Sequence, residues 1–433
     1  MKKQLTITQA FEKALALQKS GSITQAKKIY EDILQEHNTN FDAHHLLGVC
    51  HYQLKDFTNS IQSIKKAIEL NPNDLHFYVN LGNSYSALKQ YEQAKVVYKQ
   101  ALQIDPNESD LYLQLGNCYK KEKDYKNALI YFKKAIKVNN QCYLCYHQVA
   151  DTYNKLYKLE LSIFYLQKAI RICPDFYEAL FSMAQCYRKM KNEEKMIEYL
   201  HKTLAKLPEH PGANHLLASL NKETSSKYSS EYARDLFDRY ADYFEDHLVS
   251  SLKYQVPFII KEKLISLNPP KDSKILDLGC GTGLLGKTIV DIFPNLVGVD
   301  ISSNMIEETR KKDIYSALHV NDIHDFLLKN VQGFDLIIAA DVFIYIGDLQ
   351  TIFSRAKKSL NKDGYFIFTT EFFTGTNQED YQLAKNGRFS HNMEYVESLC
   401  QEIGFEIVDK EEIILREENQ TEQKAVIFTL KIL

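Results

Sequence analysis

Six consecutive segments of 34 residues, beginning at Ile7, Phe41, Leu75, Ser109, Tyr143 and Tyr177, follow one another without an insertion. A period of this length held in one register dictates a stack of like units, each sharing its core with its neighbours, over this half of the chain. The eighth position holds Ala14, Gly48, Gly82, Gly116, Ala150 and Ala184, and the twentieth holds Ala26, Ser60, Ala94, Ala128, Ser162 and Met196. Small side chains at such fixed points let paired helices approach closely. Tyr85, Tyr119, Tyr153 and Tyr187 share the eleventh position, where an aromatic is expected to fill the gap between hairpins. Pro72, Pro106, Pro174 and Pro208 share position thirty-two, where proline ends the second helix of a pair and turns the chain into the next.

Taken together these positions resemble the tetratricopeptide repeat (TPR) family, over residues 7–210. A helix hairpin of this kind cannot bury its apolar face alone, so stacked neighbours form an all-α superhelix with a concave groove. The resemblance implies that a protein or peptide partner sits in that groove. Asn83, Asn117, Asp151 and Gln185 fall at the ninth position and are expected to face it. An asparagine amide both donates and accepts, which suits it to clamp an extended backbone. Residues 211–229, with Leu216 and Leu217, read as a closing helix and a linker.

Cys142 and Cys145 form a C-x-x-C pair, but no second pair of suitable spacing accompanies it, so no metal site is expected. Cys50, Cys118 and Cys186 fall at the tenth repeat position, which is Ser84 and Thr152 elsewhere, and small-residue packing accounts for them. Eight cysteines spread through 433 residues do not make a disulfide framework and are expected as reduced thiols. No window reaches the roughly 18 uninterrupted apolar residues of a membrane span, so the expected location is cytoplasmic and no membrane partner is expected.

Beyond the polar stretch Asn221 to Ser230 the period ends and short apolar runs alternate with helical segments. Lys274 to Leu278, Leu296 to Asp300, Ala317 to Val320, Phe334 to Ala340 and Tyr365 to Thr370 read as buried parallel strands; Leu284 to Ile292, Asn304 to Lys312 and Leu349 to Leu360 read as helices. Such alternation predicts a doubly wound α/β sheet. Glu406 to Arg416 and Ala425 to Leu433, joined by the polar Glu417 to Thr421 connection, close it with an antiparallel hairpin. The whole is a two-domain chain, its second domain covering residues 230–433.

Chemistry concentrates after the first strand, in Asp277-Leu278-Gly279-Cys280-Gly281-Thr282-Gly283. Glycines there let a ligand approach the backbone, at the strand ends where such folds bind nucleotides. Asp300 closes the second strand 17 residues past Gly283, placed to accept hydrogen bonds from ribose hydroxyls. Gly281 to Gly286 also satisfies the G-x-G-x-x-G fingerprint of a dinucleotide enzyme. Asp277 and Gly279 before the loop, Asn321-Asp322-Ile323 after the third strand and the terminal hairpin point away from that alternative.

With these features the domain resembles the class I S-adenosylmethionine-dependent methyltransferases, a Rossmann-like fold. The resemblance implies that Gly279, Gly281 and Gly283, with Cys280, line the methionine part of the cofactor. It implies Asp277 near the methionine amino group, Asp300 and Ile301 at the ribose, Asp322 and Ile323 at the adenine, and Asp341 where methyl donor meets acceptor. More narrowly, Tyr232 to Phe244, Gly387 to His391 and Leu415-Arg416 resemble a bacterial family of predicted methyltransferases that carry TPR repeats. Phe237, Tyr240 and Phe244 are then expected to cover the cofactor.

Methyl transfer from a sulfonium is a displacement that needs alignment and exclusion of water more than a strong base, so no catalytic residue is assigned. Asp341, Tyr345, Glu371, Arg388 and His391, expected in loops on the cofactor side, are candidates for the acceptor site. Arg388 and Arg416 suit an acceptor carboxylate, whereas Glu371 and Asp341 suit an amine. Residues 1–220 carry 29 Lys and Arg against 22 Asp and Glu, and residues 221–433 carry 24 against 34. An acidic catalytic half repels phosphate backbones, which argues against nucleic acid. The expected activity is methyl transfer to a protein docked by the repeats; the alternative is a small carboxylate or amine acceptor, with the repeats serving assembly or localisation. An inactive scaffold and a dinucleotide-dependent enzyme are the remaining alternatives.

Overall fold

The computed structural model describes residues 6–221, 229–241, 244–246, 248–249, 252–331, 333–373, 379–418 and 421–433. Most of the polar stretch after Asn221, Asp242 and Tyr243 of the aromatic motif, and Asn419-Gln420 of the hairpin connection lie outside these residues. The chain divides into two units, Met1–Lys202 and Thr203–Leu433. Residues 211–220, expected as a closing helix, fall in the second unit.

In the first unit every repeat is a helix pair. The first helices are α1 (Ile7–Lys19), α3 (Phe41–Gln53), α5 (Leu75–Ala87), α7 (Ser109–Lys121), α9 (Tyr143–Lys155) and α11 (Tyr177–Lys189). Their partners are α2 (Ile23–Glu36), α4 (Phe57–Leu70), α6 (Tyr91–Ile104), α8 (Tyr125–Val138), α10 (Leu159–Ile172) and α12 (Glu193–Lys206). The small eighth residue is the hole for a large side chain of the second helix: a Cβ on Gly82 would lie 2.3 Å from the Tyr98 ring, and one on Gly116 2.4 Å from Phe132. Tyr119, Tyr153 and Tyr187 stack on Tyr131, Tyr165 and Tyr199 at centroid distances of 5.2, 5.7 and 5.6 Å. The eleventh-position aromatics thus fill their own hairpins. Position ten meets position twenty of the preceding repeat, as in Ser84 with Ser60 at 2.9 Å and Cys186 with Ser162 at 3.4 Å, which accounts for the small residues at both.

Each helix-to-helix turn needs one left-handed residue. Gly21 supplies it in the first repeat, and Lys55, Lys89, Lys123, Tyr157 and Lys191, 34 residues apart, adopt φ between 56° and 63° in the others. Nothing in the side chains of lysine or tyrosine announces this conformation. Side-chain acceptors cap several helices, among them Asn40 on the Ala43 amide of α3 and Asp74 on the His76 amide of α5. Cys142 and Cys145, expected as thiols, are joined by a disulfide at the start of α9.

The second unit begins with the end of α12, followed by α13 (Pro211–Leu220), α14 (Ser229–Tyr240), the short α15 (Phe244–Asp246) and α16 (Val256–Leu267). Then β1 (Ile275–Leu278), α17 (Leu284–Ile289), β2 (Leu296–Asp300), α18 (Ser303–Arg310), β3 (Ala317–Val320), α19 (Ile323–Lys329) and β4 (Phe334–Ala339) alternate. They are followed by α20 (Gln350–Ser359), β5 (Leu360–Glu371), the short pair β6 (Tyr381–Leu383) and β7 (Phe389–His391), α21 (Met393–Ile403), β8 (Phe405–Glu418) and β9 (Thr421–Ile432). The main sheet runs β3-β2-β1-β4-β5-β9-β8, parallel except for the terminal hairpin, whose β9 pairs antiparallel with β5 and β8.

Apolar residues cover both faces. Leu276 and Leu278 point to the side packed by α19, α20 and α21, while Ile275 points to the side packed by α16 and α17. Strand order reverses between β1 and β4, so the chain segments leaving those two strands diverge and open a crevice beyond their C-terminal ends. The β6–β7 pair has no counterpart in the sequence reading, because strands of three residues are too short to show a period.

Candidate functional site

The glycine loop leaves β1 at this crevice. Gly279, Gly281 and Gly283 adopt φ of 68°, 54° and 81°, a region closed to most side chains. A Cβ on Gly279 would lie 2.6 Å from Val342, just past β4, so the loop and the β4 exit touch only because that atom is missing. A Cβ on Gly281 would stand 3.4 Å from the Phe244 ring. Phe244 in turn meets Phe237 and Tyr240 edge-on at 5.9 and 5.3 Å, and Phe237 meets Tyr345 at 5.2 Å. The aromatics expected to cover the cofactor therefore form one cluster reaching from the glycine loop to the turn after β4.

Two carboxylates lie under the loop. Asp300 accepts the Gly281 amide at 2.9 Å and the Ser302 amide at 2.8 Å, one on each oxygen, and its remaining lone pairs suit the hydroxyls of a ribose. Burial drives its carboxyl up to about 6, against the pull of those two amides. Asp277 is 3% exposed and accepts the Tyr315 hydroxyl at 2.6 Å; burial lifts it to about 7, Tyr315 opposes the rise, and Asp300 adds to it. Tyr315 also closes the question of the third glycine. A Cβ on Gly286 would strike the Tyr315 ring at 2.4 Å, so Gly286 admits a side chain of the protein itself. Cys280 is 6% exposed and its thiol is pushed well up by burial and the two aspartates.

Further residues hold the frame. Asp238 of α14 accepts the Ser302 hydroxyl at 2.6 Å and the Asn304 amide at 3.3 Å, tying the aromatic helix to the start of α18 beside Ile301. Thr309 donates to the Gly281 carbonyl at 2.6 Å, and Lys312 donates to the Thr282 carbonyl at 2.7 Å and to Glu245 at 2.5 Å. Asp322 caps α19 by accepting the His324 amide at 2.8 Å, and Ile323 beside it is 8% exposed in the core.

Across the crevice, Asp341 follows β4 in a left-handed conformation with φ of 60°, and its backbone amide donates to the Thr369 hydroxyl at 2.8 Å. Arg416 of β8, 2% exposed, donates to Asp341 at 2.8 Å and to Glu371 at the end of β5. Arg388 stands 3.8 Å from the same Glu371 oxygen. Burial raises the Glu371 carboxyl, with Arg416 opposing and Asp341 reinforcing the rise. Tyr345 is pushed up to about 12 by burial. Among the described residues the buried Asp341 Oδ1 and Thr282 Oγ1 have no hydrogen-bond partner, the first beside Arg416 and the second within the glycine loop. Such orphans call for a ligand or water that supplies the missing bond.

His391 does not join this group. It lies on β7, fully buried, with Nε2 3.0 Å from the Ile346 and Gly347 carbonyls and Nδ1 2.6 Å from the Thr370 hydroxyl. Carbonyls only accept, so Nε2 carries the proton and Nδ1 accepts from Thr370. Burial lowers its pKa to about 4, leaving a neutral ring that ties β7 to the turn after β4. Nor is Glu371 in a loop, since it ends β5. Arg416, read as a partner for an acceptor carboxylate, already spends its guanidinium on two acids of its own chain.

Sequence reasoning missed Tyr315, Asp238, Thr309 and Lys312, whose partners lie between 28 and 67 residues away. In the repeat array, Asn83 accepts the Tyr98 hydroxyl at 2.7 Å and Asp151 pairs with Lys120 at 3.0 Å, while Asn117 lies 3.5 Å from Gln114. Gln185 is half-buried on α11. Among the described residues no cluster of three or more metal-ligating side chains occurs, and no helix is long and apolar enough to cross a membrane.

Residues 270–424 match the family model of a methyltransferase domain. Residues 41–74, 77–108, 109–142, 143–176 and 178–210 match models of the tetratricopeptide repeat. A malonyl-[acyl-carrier protein] O-methyltransferase of Priestia megaterium is 29% identical over 182 residues, which are 40% of this chain and 62% of that protein. A ubiquinone biosynthesis O-methyltransferase of Pelagibacter ubique is 26% identical over 161 residues, 35% of this chain and 65% of that protein. The chain thus spans less than two thirds of the length of these curated relatives. The solved structure of PilW, a type IV pilus biogenesis factor, is 19% identical and covers 46% of this chain and 92% of its own, at a TM-score of 0.42. From its repeats and its sheet alike, the chain is a tetratricopeptide-repeat array followed by a Rossmann-like methyltransferase domain.

Proposed function

We propose that the second unit binds S-adenosylmethionine at the glycine loop and transfers its methyl group to an acceptor entering the crevice between the exits of β1 and β4. The observation that carries this reading is the cradle itself: Gly281 without a Cβ beneath Phe244, and Asp300 held by two backbone amides directly behind it. When bound, the cofactor supplies a methyl group already activated by its sulfonium. Asp300 would hold the ribose, Asp322 and Ile323 the adenine end, and Thr282 Oγ1 would gain the partner it lacks. The aromatic cluster of Phe237, Tyr240 and Phe244 would exclude water from the transfer.

Asp341 Oδ1 bears on the acceptor. A buried oxygen that can only accept is satisfied by an O–H or N–H group, whereas a carboxylate acceptor would place two anions together. A hydroxyl or amine acceptor therefore suits the site better than a carboxylate, and the ubiquinone biosynthesis O-methyltransferase resembles this reading more than the malonyl enzyme does. Whether that group sits on a docked protein or a free small molecule divides two readings. The repeat array favours the protein, and the name of the ubiquinone biosynthesis relative favours the small molecule.

Titration calorimetry of the full chain with S-adenosylmethionine should show one binding event, weakened about tenfold or more by Asp300→Ala. No binding by the wild type would overturn the proposal. Incubation with methyl-labelled cofactor and lysate, fractionated by size, should then place the label in a protein fraction or in a small-molecule fraction, and so choose between the acceptors.

A further inference from the structure

The N-cap position of the first helices carries a second chemistry. In four repeats it holds an oxygen acceptor, Thr6, Asn40, Asp74 or Glu108, whose side chain takes an amide hydrogen from the helix's first turn. At α9 the same position is Cys142, and its sulfur takes the Cys145 amide hydrogen at 3.2 Å. A sulfur in this place sits among the unsatisfied amides and at the positive end of the dipole of a 13-residue helix, where negative charge is favoured. Three residues on, one helical turn away, Cys145 is the other half of the disulfide.

The two sulfurs differ in access. Cys142 is half-buried at the surface of the turn, while Cys145 is fully buried against Leu113 and Val149. Cys50, Cys118, Cys186, Cys280 and Cys400 are buried and unpaired, and Cys173 is half-buried without a second cysteine three residues away. One sulfur open to attack, a partner sheltered behind it, and a helix start that favours an anion at the attacked position form the arrangement that thiol–disulfide exchange requires.

We propose that Cys142 and Cys145 are a redox-active pair that exchanges its disulfide with an external dithiol or protein thiol, with Cys142 Sγ as the attacked atom. In the reducing direction an external thiolate attacks Cys142 Sγ, the Cys142–Cys145 bond breaks, and Cys145 leaves as a thiolate that takes a proton from water. The reductant's second thiol then attacks its own sulfur in the mixed disulfide, releasing Cys142. Two electrons and two protons pass from the external dithiol, which ends as a disulfide, to the pair. The reverse direction oxidises the pair at the expense of an external disulfide.

The test uses the full chain equilibrated in mixtures of reduced and oxidised glutathione, quenched with iodoacetamide and mapped by peptide mass. The pair should pass from dithiol to disulfide across the series, while the five buried cysteines stay unlabelled. A pair that remains dithiol in fully oxidising buffer, or disulfide in fully reducing buffer, overturns the proposal. Cys145→Ser should accumulate glutathione on Cys142 at least about tenfold more than Cys142→Ser does on Cys145. Equal or reversed accumulation, in variants whose helical circular dichroism matches the wild type, would remove the assignment of Cys142 as the attacked atom. The wild-type titration decides the matter even if either variant fails to fold.

Discussion

The two units differ in how they bury charge. Inside the repeat array the buried polar groups are mostly neutral and matched at short range: Ser60 meets Ser84, and Thr152 returns its hydroxyl to the Gln148 carbonyl one turn back. The buried Lys95 reaches out to Glu92 and Glu122, which are 79% and 26% exposed. The second unit buries hydroxyls too, but it also buries charged side chains that converge on the strand ends: Asp277 and Asp300 under the glycine loop, and Arg416 between Asp341 and Glu371. Taking charges out of water costs several kcal/mol per ion, more than stability alone would select. Convergent burial of charge therefore points to the crevice as the place for ligand chemistry in the second unit.

Removing Arg416 would break this comparison most severely. Arg416→Ala leaves Asp341 and Glu371 buried together without their cation, and the expected loss is about 3–5 kcal/mol. Hydrogen exchange in β5 and β9 under rising denaturant measures it; exchange unchanged from the wild type would mean that the network adds no stability. Gly82→Ala tests the other unit. Its new methyl group meets the Tyr98 ring, and overpacking of this kind costs about 1–3 kcal/mol, read from exchange in α5 and α6. Cofactor affinity in the second unit should be unaffected by it.

A gentler test sharpens the contrast through pH. Asp277 and Asp300 rise to about 7 and about 6 in the folded chain, whereas unfolded aspartates lose their protons near 3.9. Between those values the folded state holds more protons than the unfolded state, so stability of the second unit falls as pH rises from about 4 to about 7. Each group contributes up to about 1.4 kcal/mol per pH unit within its window. Asp277→Asn should flatten its share of that slope, with denaturation midpoints at pH 5 and pH 7 as the measurement. An unchanged slope would show that Asp277 is ionised throughout.

What the sequence disclosed follows the same division. Helix starts from Ile7 to Tyr177 could be read to the residue, because six copies average away the ambiguity of any one. The strand Leu296–Asp300 and the glycine loop were legible too, since an apolar run and adjacent glycines are local signals. Other features stayed hidden because they depend on distant partners. Tyr315 looks like any aromatic until Asp277 and Gly286 are brought beside it, and His391 looks like a base until both nitrogens prove to be occupied. Arg416 could be named from the sequence but not its saturation by Asp341 and Glu371, which lie 75 and 45 residues away. Left-handed lysines at the repeat turns were equally silent, because the turn imposes the conformation on whatever residue stands there.

The regular succession of the repeats has a further consequence for how the array comes apart. Helices α1 to α11 contact chiefly their neighbours in sequence, α1 with α2, α2 with α3, and so on along the row. Such a row behaves as a one-dimensional chain of nearest-neighbour couplings, in which opening one repeat breaks only the interfaces with its neighbours and leaves the others intact. Amide protons of different repeats should accordingly exchange at different denaturant concentrations, not all together. A ligand spanning several repeats would slow exchange in all of them at once, turning a row that opens unit by unit into a single cooperative block.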